Sequence, residues 1–166
     1  MKDYKIFYQQ LTAPFRSCPR LVKGMGYFNR GMTVFMPLVY GLVLIDALLT
    51  EGWKGLLAFF LLPTIGFGLL SAIRKRLNQA RPYEKWAIQP LLAKNTSGKS
   101  MPSRHVFSAT VISMCLLYFF WLPGFICLLL SAGLALVRVI GGVHYPKDVV
   151  IGYLCGICWG SLLFLL

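Results

Sequence analysis

Residues 101–148 read MPSRHVFSATVISMCLLYFFWLPGFICLLLSAGLALVRVIGGVHYPKD. Two apolar runs, about His105 to Leu122 and about Phe125 to Ile140, each read as a membrane span, and Trp121-Leu122-Pro123-Gly124 predicts a tight turn between them. The polar ends of these runs carry the distinctive chemistry: Pro102-Ser103-Arg104-His105 on one side, Arg138, His144 and Asp148 on the other. The 166-residue chain has only two histidines, and both lie here. Imidazole titrates near neutrality, so a pair of them flanked by arginines points to proton and phosphoryl chemistry on an anionic substrate. The plain alternative, two core histidines satisfied by hydrogen bonds, does not account for the polar company each one keeps.

Composition agrees with a membrane setting. The chain is 57% hydrophobic, with a mean hydropathy of +0.67, too apolar for a soluble domain of this size. Its net charge of +12 comes from 17 Lys and Arg against five acids. These cations cap hydrophobic runs instead of forming a stripe on a polar surface, which favours anionic lipid or phosphate and excludes a nucleic-acid partner. Cys18, Cys115, Cys127, Cys155 and Cys158 are odd in number and mostly sit in apolar runs, so no disulfide framework is expected. Cys155-Gly-Ile-Cys158 has redox spacing but no polar neighbour to form a thiolate, and is read as packing. The first 30 residues lack the apolar core and cleavage site of a signal peptide.

Outward from the central stretch, two more spans are expected at about Met32 to Thr50 and Trp53 to Ile73, joined around Glu51-Gly52, and a last one at about Asp148 to Leu166. Pro146 suits the first turn of that last helix, where Gly152, Gly156 and Gly160 form a ridge for close helix packing. Asp46 is the one acid inside a span; its nearness to Glu51 favours a structural role at the interface. Residues 74–104 form a polar loop with one short helix expected around Tyr83 to Leu92. Within it, Gly98-Lys99-Ser100 lacks the first glycine of a nucleotide-binding P-loop and is set aside as such. Residues 1–30 mix Tyr4, Phe7, Leu11 and Phe15 with basic residues, as a helical segment on the membrane surface would. The expected architecture is therefore an all-α integral membrane protein: a bundle of about five transmembrane helices over 31–166 and a basic interfacial segment over 1–30.

Five crossings place Arg74, Lys75, Arg81, Ser103, Arg104, His105, Arg138, His144 and Asp148 on one membrane face. At these residues the chain resembles the type 2 phosphatidic acid phosphatase superfamily of membrane lipid phosphatases, related to vanadium haloperoxidases. That family's pattern is Lys, six residues, Arg-Pro; then Pro-Ser-Gly-His; then Ser-Arg, five residues, His, three residues, Asp. Here the three parts are Arg74 with Arg81-Pro82, Pro102-Ser103-Arg104-His105, and Val137-Arg138 with His144 and Asp148. Arg74 replaces the lysine, with Lys75 adjacent; Arg104 replaces the glycine; Val137 replaces the serine.

The chemistry also follows from the residues themselves. Guanidinium forks neutralise phosphate oxygens bidentately, a task for Arg81 and Arg138 with Arg74 or Lys75 helping, and for Ser103 and Arg104 nearby. His144 is the expected nucleophile, oriented by Asp148 four residues on, and His105 the expected proton donor to the leaving oxygen. No metal or other cofactor is expected, because the arginines supply the positive charge and few carboxylates accompany them. The expected function is hydrolysis of a lipid phosphate or diphosphate (polyprenyl diphosphate, phosphatidic acid or phosphatidylglycerol phosphate) through a phosphohistidine. Two alternatives stand beside it: a lipid phosphotransferase, and a non-catalytic binder of anionic lipid. The sequence specifies no oligomeric state. For the site's face, all Lys and Arg except Lys54 fall on the site side, which puts that side in the cytoplasm; the resemblance implies the outer face instead.

Overall fold

The computed structural model describes residues 4–92 and 96–165. Six α-helices follow in order: α1 (Tyr4–Arg16), α2 (Pro19–Leu77), α3 (Pro82–Lys85), α4 (Arg104–Phe119), α5 (Trp121–Ile140) and α6 (Pro146–Gly160), with a closing 3-10 turn over Ser161–Leu165. No strand occurs among the described residues. Lys94, in the polar run before α4, lies outside them.

α2 is two arms. Gly52 breaks it with φ +67°, a backbone region that side chains with a Cβ avoid. The Tyr40 hydroxyl donates to the Phe59 carbonyl at 2.9 Å, whereas residues that far apart in a straight helix would stand about 28 Å apart. The arms 19–51 and 53–77 therefore fold back on each other as an antiparallel hairpin. Each buries one narrow stripe at helical spacing: Met32, Met36, Val39, Val43 and Ala47 on the first, Phe59, Pro63, Gly66, Leu70 and Arg74 on the second. Leu38, Leu42, Ile45 and Leu49 face outward, as suits a lipid-facing wall.

α4 is the axis of the bundle and packs against α2, α5 and α6. It is buried nearly all round from Val106 to Cys115, so at 16 residues it need not match the hydrocarbon thickness that lipid-facing helices must span. α6 approaches it through the glycine ridge. A Cβ on Gly152 would lie 2.8 Å from the Ser103 carbonyl oxygen, one on Gly156 2.7 Å from Thr110 Cβ, and one on Gly160 2.5 Å from Met114 Cβ. Small residues are thus required for this backbone approach. By length and composition, helices long and apolar enough to cross a membrane lie within Pro19–Lys85, Trp121–Ile140 and Pro146–Leu165, and α4 is a shorter apolar helix among them; the Gly52 break divides the first into two arms.

Three local expectations need correction. No turn occupies 121–124: α4 ends at Phe119, Phe120 alone is extended, and α5 starts at Trp121. Pro123 falls in the first turn of α5, where no intrahelical donor is lost, and Gly124 lets the Leu117 backbone pass where a Cβ would lie 2.3 Å from its Cα. The helix expected from Tyr83 to Leu92 is the four-residue α3. Beyond it the chain bonds outward instead: the Gln89 carbonyl accepts from Arg16 Nη2 at 2.7 Å, and Leu92 N–H donates to the Gly141 carbonyl at 3.1 Å. Finally, helix α2 is continuous through residues 30 and 31, so 19–30 extends the first span and only α1 is a separate basic helix. α1 lies on the protein: Tyr4, Tyr8 and Thr12 are buried at successive turns, and the Tyr8 hydroxyl donates to the Ile140 carbonyl at 3.1 Å.

Candidate active site

The polar ends of α2, α4, α5 and α6 meet beneath α1, with residues 78–92 and 96–103 laid across them. Arg74, Arg81, Arg104, His105 and His144 line a cavity of about 340 Å³, with Thr96, Ser97, Gly98 and Lys99 forming its outer edge. Asp148 stands behind His144: Oδ2 lies 3.6 Å from His144 Nδ1. The same oxygen accepts the Tyr145 N–H at 3.1 Å and a short hydrogen bond from the Ser100 hydroxyl. Ser100 Oγ is itself 3.4 Å from His144 Nδ1. Nδ1 faces Asp148 and Ser100, and the His144 ring is also part of the cavity lining. His144, Asp148 and Ser100 are all buried, so the pair is held in a medium of low polarity where its orientation is fixed.

Local sequence builds this arrangement. Pro146 opens α6, and Asp148 at the third helical position reaches back to the N–H of Tyr145 at the cap. The Asp148 carbonyl accepts the Ser103 N–H at 2.9 Å, which ties the start of α6 to the start of α4. Glu84 does similar work in the loop: its carboxylate accepts Arg81 N–H at 2.6 Å and Gly98 N–H at 2.9 Å. Arg81 then spans the gap, donating from Nε to the Gly98 carbonyl at 3.1 Å and from Nη1 to the Val143 carbonyl at 3.0 Å.

Among the described residues no carboxylate pairs directly with an arginine, although Asp148 acts on Arg74 and Arg81, and Glu84 on Arg81, from farther away. Arg74, Arg81 and Arg138 are buried, yet their hydrogen bonds go to neutral oxygens. Arg74 donates to the carbonyls of Pro102, at 2.7 Å, and Lys99; Arg138 Nη1 donates to Asn29 Oδ1 at 3.0 Å. Among the described residues Arg138 Nε and Nη2 have no partner. Burial lowers the pKa of the Arg81 guanidinium from its ordinary value, but arginine keeps its proton in proteins. Three buried guanidiniums without a direct carboxylate partner cost free energy that a bound anion would offset.

Of the residues singled out from sequence, Arg74, Arg81, Arg104, His105 and His144 line the cavity. Asp148 supports His144. Ser103 is buried at the cap of α4, its hydroxyl without a partner among the described residues. Arg138 reaches the cluster from the end of α5. Lys75 is exposed and does not line the cavity, being rotated by one residue from Arg74 on the same helix. Ser100, Lys99, Glu84 and Asn29 were not anticipated as parts of the site. For Lys99 and Ser100 the one sequence signal was the polar run immediately before Pro102; Asn29 meets Arg138 across 109 positions, and Glu84 acts locally on Arg81 three residues before it. The set-aside Gly98-Lys99-Ser100 is in fact one wall of the site. Among the described residues no three His, Cys, Asp or Glu converge as metal ligands would.

The fold is that of a multi-pass helical membrane protein with a cationic cavity at one end of its bundle. The chain belongs to the PAP2 superfamily, whose family model matches residues 52–166. It is similar in structure to Aquifex aeolicus LpxE, with a TM-score of 0.73, 22% identity, and coverage of 96% of this chain and 93% of that one. It is also similar to the first transmembrane PAP2-type phosphatidylglycerolphosphate phosphatase from Bacillus subtilis, with a TM-score of 0.62, 20% identity, and coverage of 96% and 91%. A search of curated proteins found no match.

Proposed function

We propose that this protein is a membrane phosphatase that removes a phosphoryl group from a lipid phosphate or diphosphate by way of a phosphohistidine. The carrying observation is the set of buried arginines without a direct carboxylate partner among the described residues, two of which, Arg74 and Arg81, line a cavity with His144, itself backed by Asp148. An anion-binding protein would need the arginines alone. The oriented imidazole is what favours an enzyme over a binder.

In this mechanism the arginine forks bind the phosphoryl oxygens and neutralise the charge that spreads over them in the transition state. His144 Nε2 attacks phosphorus, and Asp148 stabilises the imidazolium that forms. The bond from phosphorus to the lipid-side oxygen breaks, and His105 gives that oxygen a proton. Water, deprotonated by His105, then cleaves the phosphorus–nitrogen bond, releasing inorganic phosphate and restoring His144. The cationic charge resides in arginine, so turnover is expected to be independent of metal.

The test is phosphate release from detergent-solubilised protein with a panel of lipid mono- and diphosphates, with and without EDTA, alongside acid-quench trapping of labelled phosphohistidine. Release that persists in EDTA, and label that disappears in His144→Ala, are expected. Loss of activity in EDTA with recovery in Mg²⁺ would overturn the arginine-only site. Transfer of phosphate to an added alcohol in preference to water would make the protein a phosphotransferase.

A further inference from the structure

Arg104 stands at a boundary between two cavities. It lines the phosphate cavity together with His144, Arg74 and Arg81. It also lines a second cavity of about 240 Å³, whose other walls include the apolar Met32, Met36, Phe67 and Ile112. A third space of about 210 Å³ continues from this one, sharing Phe67, Ser108 and Ile112. His105 is the other residue common to the first two. The order along the cleft is therefore arginine cage and nucleophile, then Arg104 and His105, then apolar walls between α4 and the two arms of α2.

The Arg104 side chain is exposed, and its guanidinium lies over the Phe67 ring, 5.5 Å from the centroid. Stacking on an aromatic face holds the plane of the guanidinium and leaves its N–H donors free at the edge. It is a surplus cation for a single phosphoryl group already surrounded by Arg74, Arg81 and Arg138. A substrate lying along the cleft meets these residues in its own chemical order. On the phosphatase reading the reacting phosphoryl group lies at His144 and the leaving oxygen at His105, and Arg104, which lines the same two cavities as His105, is beside whatever is bonded to that oxygen. In a lipid monophosphate that next group is a methylene, which gives a guanidinium nothing to bind. In a lipid diphosphate it is the second phosphate, whose non-bridging oxygens suit a fork held edge-on.

Building on the phosphatase reading above, we propose that Arg104 is a specificity-determining residue that seats the second phosphate, so that the substrate class is a lipid diphosphate. His144 Nε2 bonds to the terminal phosphorus as the bond to the bridging oxygen breaks. The leaving group is a lipid monophosphate, which takes up the proton from His105; hydrolysis of the phosphohistidine then yields inorganic phosphate. Arg104 binds the charge that accumulates on the leaving phosphate, so it acts in the transition state as well as in binding.

The experiment compares farnesyl diphosphate with farnesyl monophosphate, using the full chain in detergent and measuring phosphate release for wild type, Arg104→Gly and Arg104→Lys. The wild type is expected to favour the diphosphate in kcat/KM. Arg104→Gly should lower that preference by about tenfold, as loss of one charge-assisted hydrogen bond does, and Arg104→Lys should recover part of it. A fall of equal size for both substrates, or a wild-type preference for the monophosphate, overturns the proposal. If the wild type hydrolyses neither substrate, nor any other lipid phosphate, the phosphatase reading itself has failed; hydrolysis of monophosphates alone refutes only the role of Arg104. Should the variants not fold, competition in the wild type decides: a farnesyl bisphosphonate must inhibit more tightly than the matching phosphonate, and equal inhibition overturns the assignment.

Discussion

Asp148 Oδ2 collects the Ser100 hydroxyl, the Tyr145 N–H and the His144 ring on one oxygen. The carboxylate is therefore held before any substrate arrives, and it stands against the Nδ1 side of His144 together with Ser100. Each contact should be graded in activity. His144→Ala is expected to lower kcat by at least about a thousandfold, and His105→Ala by about a hundredfold or more, since in the proposed mechanism it removes the proton donor. Asp148→Asn should cost about a hundredfold, and Ser100→Ala about tenfold with KM little changed, because Ser100 positions Asp148 and does not touch phosphate. Phosphate release under saturating substrate measures all four; a Ser100→Ala effect confined to KM would remove Ser100 from this chain of contacts. A paired test separates neighbours on α2: Arg74→Ala should impair turnover strongly, and Lys75→Ala by less than about twofold, because only Arg74 enters the cavity. Arg138, His144 and Asp148 were legible together because their spacing is local, whereas Thr96 to Lys99, which line the cavity, were not. Ser100 was not, since it meets Asp148 across 48 positions and no periodicity marks it; Asn29 meets Arg138 across 109.

At the scale of elements, the glycines of α6 are a spacing device for the site. Gly152 touches the Ser103 backbone directly, so the distance between α4 and α6 sets how His105 stands relative to His144. Gly156→Leu is expected to destabilise the protein by about 1–3 kcal/mol through overpacking against Thr110, seen as a lower unfolding temperature in detergent with loss of activity. Gly68→Leu is the matched control, because nothing lies within 4 Å of a Cβ there; an equal loss from both would show that the ridge has no special role. The ridge was legible from its four-residue repeat, as were the spans from their apolar length. The helix ends were less so. Pro123-Gly124 carries the composition of a turn, but a proline in the first helical turn forfeits no hydrogen bond, and only the close pass of Leu117 reveals why glycine follows it. The burial of α1 was hidden for another reason. Tyr4, Tyr8 and Thr12 make a stripe that could face lipid headgroups or protein equally well, and the partner that decides it, a Tyr4–Tyr145 ring contact at 4.9 Å, lies at the far end of the chain.

For the whole molecule, the unequal ends of the bundle bear on its orientation. The end that carries the site also carries Lys5, Arg16, Arg20, Lys23, Arg76, Lys85 and Lys147, none of which lines the phosphate cavity. The opposite end, at the Gly52 break and the Phe120 link, carries Lys54. Cavity arginines are held in place by function and report nothing about insertion, but these surface cations are free to obey the charge asymmetry that retains basic segments in the cytoplasm. Lys5 and Arg16 on α1, and Arg20, Lys23 and Arg76 near the ends of α2, flank the apolar arms as cations that bind anionic headgroups do. We therefore propose that the site faces the cytoplasm, against the outer-face placement that the family resemblance suggests. The decisive measurement uses a cysteine-free variant carrying Lys75→Cys, an exposed position at the site end that lines no part of the cavity. A membrane-impermeant maleimide should fail to label intact cells and should label them once the membrane is permeabilised. Labelling of intact cells would reverse the orientation, and the substrate would then have to be a lipid whose phosphate is presented at the outer leaflet.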